Sequence, residues 1–122
     1  MKVISGVKAA QCYKGAFDLL LVHEDAVLVH GYPRLTCDGE LAGKKFGHAW
    51  IEIERFGAEW CIDHRFPDSV IPKAMYYAVG EINASECKRY SRMKAMRKAY
   101  RTELYGPWGK QPSDALFGED AA

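Results

Sequence analysis

Apolar residues recur along the first part of this chain at spacings that predict a helix followed by a strand. A first helix is predicted from about Gln11 to Glu24, because apolar side chains there return at the helical period. Its buried face would consist of Tyr13, Ala16, Phe17, Leu20 and Leu21. The β-rich run 26–33 comes next, and Gly31 and Pro33 stop it. This run predicts the first strand of a sheet.

A β-hairpin is predicted over residues 48–63. Its arms run from His48 to Glu54 and from Ala58 to Asp63, and Arg55-Phe56-Gly57 makes the turn. Gly57 suits a position with positive φ. Because successive strand residues point to opposite faces, the first arm has an apolar face and a mixed one. The apolar face carries Ala49, Ile51 and Ile53, and the other carries His48, Trp50, Glu52 and Glu54.

Two further elements complete the predicted α+β fold, with loops at 34–46 and 64–72. The aromatic run 74–82 predicts a third long strand, although Ala74, Met75 and Ala78 leave a helix as the alternative. A last helix begins near Ser91, a favoured N-cap residue, and ends at Gly106-Pro107. One line along this helix is formed by Met93, Met96, Tyr100 and Leu104. The order predicts an N-terminal helix packed on a small antiparallel sheet, with a C-terminal helix.

Size and charge narrow the class of protein. The 122 residues suit one domain, predicted over residues 1–108 and followed by a flexible tail at 109–122. The net charge of +1 argues against a dedicated nucleic-acid coat or a general membrane-surface binder. No apolar run approaches the roughly 18 residues of a membrane span, and the N-terminus lacks the apolar stretch of a secretory signal. A cytoplasmic protein is therefore predicted.

The cysteines favour free thiols over structural bridges. Cys12, Cys37, Cys61 and Cys87 are evenly spaced and form no C-x-x-C pair. A reducing compartment disfavours disulfides. A zinc site built from Cys37, Cys61, His48 and His64 stays an alternative without a recognised ligand spacing. No cofactor is expected.

Cys12 is the candidate nucleophile. It lies where the first helix is predicted to begin, so the unpaired backbone amides there would lower the pKa of its thiol. The same amides, and the side chain of Gln11, could donate hydrogen bonds to an oxyanion. A buried cysteine that acts only as a small apolar residue is the alternative.

His48 and Asp63 are the candidate base and the acid that orients it. A two-residue turn predicts Asp63 opposite His48, and a four-residue turn predicts it opposite Trp50. Both registers keep the carboxylate on the face of the imidazole, whereas the other parity would not. Histidine is the usual base for a thiol, and a carboxylate holds its ring. A strand-start histidine and a turn aspartate without catalytic roles are the alternatives.

The segment 47–52, Gly-His-Ala-Trp-Ile-Glu, followed by Trp60-Cys61-Ile62-Asp63, resembles the transglutaminase-like branch of the papain-like cysteine hydrolases. Cys12-Tyr13-x-x-Ala16 resembles the cysteine helix of small phage and bacterial members. The resemblance implies a Cys12, His48 and Asp63 triad that acts on an amide or (iso)peptide bond of a protein or peptide. It also places Trp50 with Gln11 as a substrate or oxyanion residue. The implied location is the cytoplasm of a bacterium or of a phage-infected host.

Several other residues have a possible role at this site and a structural alternative. His30 and Tyr32 would either border the cleft or pack in the interior. His64 is an alternative base, and Cys61 would line the site or be buried. Glu52 is an alternative partner for His48. The segment from Lys88 to Arg101 is basic without an intervening acid, so nucleic acid or an acidic partner stays an alternative to a solvated helix face. A non-catalytic accessory protein on the same scaffold is the competing function.

Overall fold

The computed structural model describes residues 9–34, 45–66 and 68–108, and it has the predicted α+β architecture. The helices are α1 (Ala9–Val22), α2 (Lys73–Val79) and α3 (Arg92–Thr102). The strands are β1 (Val27–Gly31), β2 (His48–Arg55), β3 (Ala58–Ile62), β4 (Ile71–Pro72) and β5 (Lys88–Tyr90). A short 3₁₀ turn covers Ala84–Glu86. The predicted tail at 109–122 and residues 35–44 of the predicted loop lie outside the described residues.

The five strands form one antiparallel sheet in the order β4-β3-β2-β1-β5. β2 and β3 are the predicted hairpin, and their turn is the pair Phe56-Gly57, both of which have positive φ. Two central residues with positive φ match the right-handed twist of paired strands. The short edge strand β5 was not predicted, because its sequence, Lys-Arg-Tyr, has almost no apolar pattern.

Two apolar clusters cover the two faces of the sheet. α1 packs across β2, and α3 lies beside α1 on the same side. This cluster contains the predicted face of β2, which is Ala49, Ile51 and Ile53. The opposite face carries Trp50 and Cys61, and α2 covers it with Tyr76 and Tyr77. The sheet is thus enclosed by helices on both sides.

The predicted third strand at 74–82 is wrong, because residues 73–79 form α2. Two adjacent tyrosines explain why. Tyr76 donates to Asp63 and Tyr77 donates to Glu52, both at 2.5 Å, and both carboxylates belong to one face of the sheet. Adjacent residues of a strand point to opposite faces, whereas adjacent residues of a helix lie about 100° apart and can reach the same one.

The outer helices also differ from prediction at their ends. α1 begins at Ala9 and not at Gln11, so Cys12 is its fourth residue and not its second. Ser91 caps α3 as predicted, since its hydroxyl accepts from the amide of Lys94. The helix ends at Thr102, earlier than Gly106-Pro107, because Glu103 adopts a left-handed conformation with φ 59°. Ala95, and not the predicted apolar line, is the buried residue of α3.

Candidate active site

The hairpin register brings the predicted base and acid to one end of the sheet. Ile51 pairs with Ile62, so Asp63, one step after β3, lies level with Trp50. This is the register that we expected from a four-residue turn, yet a two-residue turn produces it. The parity is the one that puts Asp63 on the face of His48.

His48 and Asp63 form a buried hydrogen-bonded pair. His48 Nε2 lies 2.9 Å from Asp63 Oδ2, and both side chains are completely buried. An ionised carboxylate only accepts hydrogen bonds, so we assign the proton of a neutral imidazole to Nε2. His48 Nδ1 then carries the free lone pair. It has no hydrogen-bond partner among the described residues.

Asp63 is held by two residues that the sequence did not point to. The Arg65 guanidinium donates to Oδ2 through Nη2 at 2.9 Å, and the Arg65 amide donates to Oδ1 at 2.9 Å. The Tyr76 hydroxyl donates to Oδ2 at 2.5 Å. The contact of Arg65 with Asp63 could have been predicted from the sequence, since an arginine two residues after an aspartate can fold back on it. The contact of Tyr76 with Asp63 could not, because it depends on how α2 packs over the sheet.

The electrostatics of the pair favour an ionised acid and a neutral base. Burial by itself would raise the pKa of Asp63, but His48 and Arg65 together hold that pKa well below its usual range. Burial lowers the pKa of His48, and the attraction of Asp63 opposes this only in part. Asp63 is therefore a carboxylate at neutral pH, while His48 is a neutral imidazole.

Cys12 lies in the first turn of α1, and the charges of this cluster act on its thiol. Burial raises its pKa, while Arg65 lowers it and Asp63 raises it. The expectation that the helix terminus gives Cys12 a lowered pKa is thus wrong, because desolvation outweighs the favourable charges. No hydrogen bond joins Cys12 to His48 among the described residues. The side chain of Gln11 lies outside the described part of the structure, so its oxyanion role stays a prediction.

The two faces of the sheet determine how Cys12 can approach His48. α1 packs on the face of Ala49, whereas strand alternation directs His48 towards the face of Trp50. His48 is the first residue of β2, and His64 in the loop after β3 lies against Gly15 in the second turn of α1. The charges of Asp63 and Arg65 act on the Cys12 thiol, which places the thiol near this end of the sheet.

The structure does not support Trp50 as an oxyanion donor. Its side chain is completely buried, and its indole N–H donates to Glu52 Oε2 at 3.0 Å. Glu52 is likewise not the partner of His48. It accepts from Tyr77 at 2.5 Å and from Arg89 at 2.6 Å. Cys61 is buried beside it, with Sγ 3.8 Å from Glu52 Oε2.

His64, the alternative base, packs against the first helix beside the site. A Cβ atom added at Gly15 would lie 2.2 Å from His64 Cγ, so the loop after Asp63 touches α1 one turn beyond Cys12. Gly15 therefore permits the close approach of the loop that carries Asp63 and Arg65 to the helix that carries Cys12.

Replacing Gly15 by alanine is expected to destabilise the protein by about 1–3 kcal/mol through this overlap. In an unhindered helix the same change would stabilise by about 1 kcal/mol. Urea unfolding measures the difference, with Lys14→Ala, an exposed neighbour, as the control. A gain in stability for Gly15→Ala would show that His64 moves aside freely.

His30 and Tyr32, the predicted border residues, are both buried. His30 packs among Tyr13, Tyr90 and Trp108, with ring centroids 4.8–5.2 Å apart. Neither of its ring nitrogens has a hydrogen-bond partner among the described residues. These contacts support the packing interpretation of His30.

A metal centre finds no support in the part of the chain that the structure describes. No group of three or more metal-ligating side chains occurs there. Cys37, one proposed zinc ligand, lies outside it.

None of the described helices has the length and apolar character to cross a membrane. Comparison with protein families, curated proteins and solved structures gives no match.

Proposed function

We propose that this protein is a thiol-dependent hydrolase or acyltransferase that acts on an amide or (iso)peptide bond of a protein or peptide. Cys12 is the nucleophile, His48 the base and Asp63 the acid that orients it. One observation carries the proposal: the buried His48 donates through Nε2 to an ionised carboxylate, and its Nδ1 has no hydrogen-bond partner within the described part of the chain. A fixed, neutral imidazole with a free lone pair is what a general base requires.

The pKa directions define how the thiol would be activated. Burial raises the pKa of Cys12 and lowers that of His48, so the resting pair is a neutral thiol and a neutral imidazole. His48 Nδ1 takes the thiol proton as the sulfur attacks the carbonyl carbon. The resulting imidazolium returns this proton to the leaving amine as the carbon–nitrogen bond breaks, which leaves a thioester. Water gives hydrolysis, and a second amine gives acyl transfer.

Asp63 supports this cycle without giving up its own charge. Its pKa lies far below neutrality, so it stays ionised while His48 gains and loses the proton. A carboxylate 2.9 Å from Nε2 stabilises the imidazolium and keeps Nδ1 free for the thiol. Backbone amides in the first turn of α1, together with Gln11, are the proposed oxyanion donors.

Base-assisted alkylation of Cys12 tests the proposal without a known substrate. We expect iodoacetamide at about pH 6 to modify Cys12 at least about tenfold faster than Cys87, and His48→Gln to slow Cys12 by about 100-fold. Cys87 reacts only as a thiolate, and burial raises the pKa of its thiol, so little thiolate is present at pH 6. Cys12 does not depend on this fraction, because His48 takes its proton during the attack. Peptide mass spectrometry gives the rate at each cysteine.

The pH dependence provides the control. The rate at Cys87 should fall about tenfold for each pH unit below its pKa, whereas the rate at Cys12 should stay level while His48 is neutral. Because burial lowers the pKa of His48, the level region extends below pH 6.5, the ordinary histidine value. Equal rates at the two cysteines, or no effect of His48→Gln, would contradict the proposal. Full biological effect in Cys12→Ala would instead favour a non-catalytic accessory protein.

A further inference from the structure

Helix α3 exposes a row of large apolar side chains that lie outside the apolar clusters of the described residues. Met93, Met96 and Tyr100 follow one another at positions i, i+3 and i+7, and their exposed fractions are 68%, 44% and 87%. Leu104 extends the row just beyond the helix, at 57%. A row with this spacing lies along one side of a helix. In a single domain such a row is normally the side that packs.

A different side of α3 holds it to the domain. Ala95 is completely buried in the cluster shared with α1, and Ala99 packs against the same cluster. Arg92 donates to the carbonyl of Leu20 at 2.7 Å, which fixes the start of the helix. The exposed row is thus separate from the side that stabilises the fold.

Four cations flank the row. They are Lys94, Arg97, Lys98 and Arg101. None of them forms an ion pair within residues 9–34, 45–66 and 68–108. Arg89 differs, because it is paired with Glu52 at 2.6 Å. At 100° per residue, Arg97 follows the edge of the apolar row and the other cations lie beyond it. α3 therefore has a packed side, an apolar side and a basic side.

We propose that α3 is a docking surface for an acidic amphipathic helix of a partner protein. Apolar side chains of that helix would interdigitate with Met93, Met96 and Tyr100, as rows of side chains do between packed helices. Its acidic residues would face Arg97 and Arg101, which supply charge complementarity. Methionine suits this role because its flexible side chain adapts to the partner's surface. The proposal is independent of any chemistry at Cys12.

Two other partners would match the charge but not the apolar row. A nucleic-acid backbone is recognised through phosphates and stacked bases, so methionines contribute little and only Tyr100 could stack. A membrane-bound amphipathic helix inserts a broad face rich in Trp, Phe and Leu. The row on α3 is narrow, with two methionines and a tyrosine inside the helix.

An unbiased peptide selection tests the proposal on the full chain. The folded protein is the bait, and the probe is a phage-displayed library of random peptides about 16 residues long, which exceeds the length at which isolated helices begin to form. We expect the selected peptides to share acidic residues with apolar residues three and four apart. Synthetic versions should bind the full chain in a fluorescence-anisotropy titration.

Two pairs of substitutions assign the binding to α3. Met96→Ser with Tyr100→Ser should weaken binding by about tenfold or more, because hot-spot anchors dominate an interface. Arg97→Gln with Arg101→Gln should weaken binding and reduce its dependence on salt. Met75→Ser with Val79→Ser changes exposed apolar residues of α2 and should have no effect. All replaced residues are exposed, and circular dichroism confirms that each variant is folded.

Three outcomes would overturn the proposal. The first is a selection that yields no shared acidic and apolar pattern. The second is peptide binding that the Met96 and Tyr100 changes leave intact. The third is binding to phosphatidylserine vesicles or to an RNA oligonucleotide that depends on Arg97 and Arg101, with no peptide binding at all.

Discussion

Replacing Asp63 by asparagine is expected to lower the free energy of unfolding by about 3–5 kcal/mol, the range for removing one partner of a buried ion pair. The carboxylate is completely buried and accepts from His48, Arg65 and Tyr76. An asparagine at this position keeps one acceptor oxygen, but its NH₂ group would face the donors of these residues and could not accept from them. Arg65, whose side chain is only 15% exposed, would lose its counter-charge. Urea unfolding at neutral pH measures the effect.

Matched variants separate the causes of that loss. Tyr76→Phe removes a single hydrogen bond to the charged group and should cost about 1.5–3 kcal/mol. Asp25→Asn breaks an exposed pair with Arg55 and should change stability little. Arg65→Gln, added to Asp63→Asn, should restore part of the loss because it removes the unpaired cation. If Asp63→Asn unfolds like Asp25→Asn, the buried network does not exist as described.

Acidification is expected to destabilise the protein through His30. Burial, with smaller contributions from Lys88 and His48, lowers the pKa of His30 to about 3. The unfolded chain has the ordinary value of about 6.5, so it binds the proton more readily than the folded protein does. The stabilisation of the folded state that depends on a neutral His30 is therefore fully present above pH 6.5 and is lost as the pH falls towards 3. At 1.36 kcal/mol per pKa unit, the complete loss is about 5 kcal/mol.

His30→Phe isolates this effect from the other titrating groups. Phenylalanine suits the aromatic surroundings of Tyr13, Tyr90 and Trp108, and it carries no unpartnered nitrogen. Between about pH 7 and pH 4.5 the wild type should lose about 2–3 kcal/mol more than His30→Phe. Lys88 and His48, the titratable neighbours that act on His30, are unchanged in this comparison. Parallel stability curves for the two proteins would assign the acid sensitivity to His48 and the carboxylates instead.

Local patterns predicted the parts of the fold in which neighbours in sequence are also neighbours in space. The helical period located α1, and strand alternation located the β2–β3 hairpin with its two faces. Ser91 marked the start of α3 because an N-cap acts within three residues. The pairing of His48 with Asp63 followed from the same short-range logic, since alternation restricts which residues of a hairpin can meet.

Long-range packing decided the features that prediction missed. Residues 73–79 form a helix because two buried carboxylates on the sheet accept bonds from Tyr76 and Tyr77, which strand propensity cannot reveal. The raised pKa of Cys12 arises from burial, which local sequence does not specify. The apolar line of α3 faces outward because Ala95 allows closer packing on α1.

By itself, the amino-acid order determined the α+β class and the hairpin, and it restricted the registers in which an imidazole and a carboxylate can share a face. These features depend on backbone periods and turn geometry, which act over a few residues. Only the tertiary structure decided that Arg65 and Tyr76 hold the carboxylate, that Glu52 takes the Trp50 indole, and that α3 leaves its methionines exposed. Those outcomes depend on which surfaces compete for burial once the whole chain has packed.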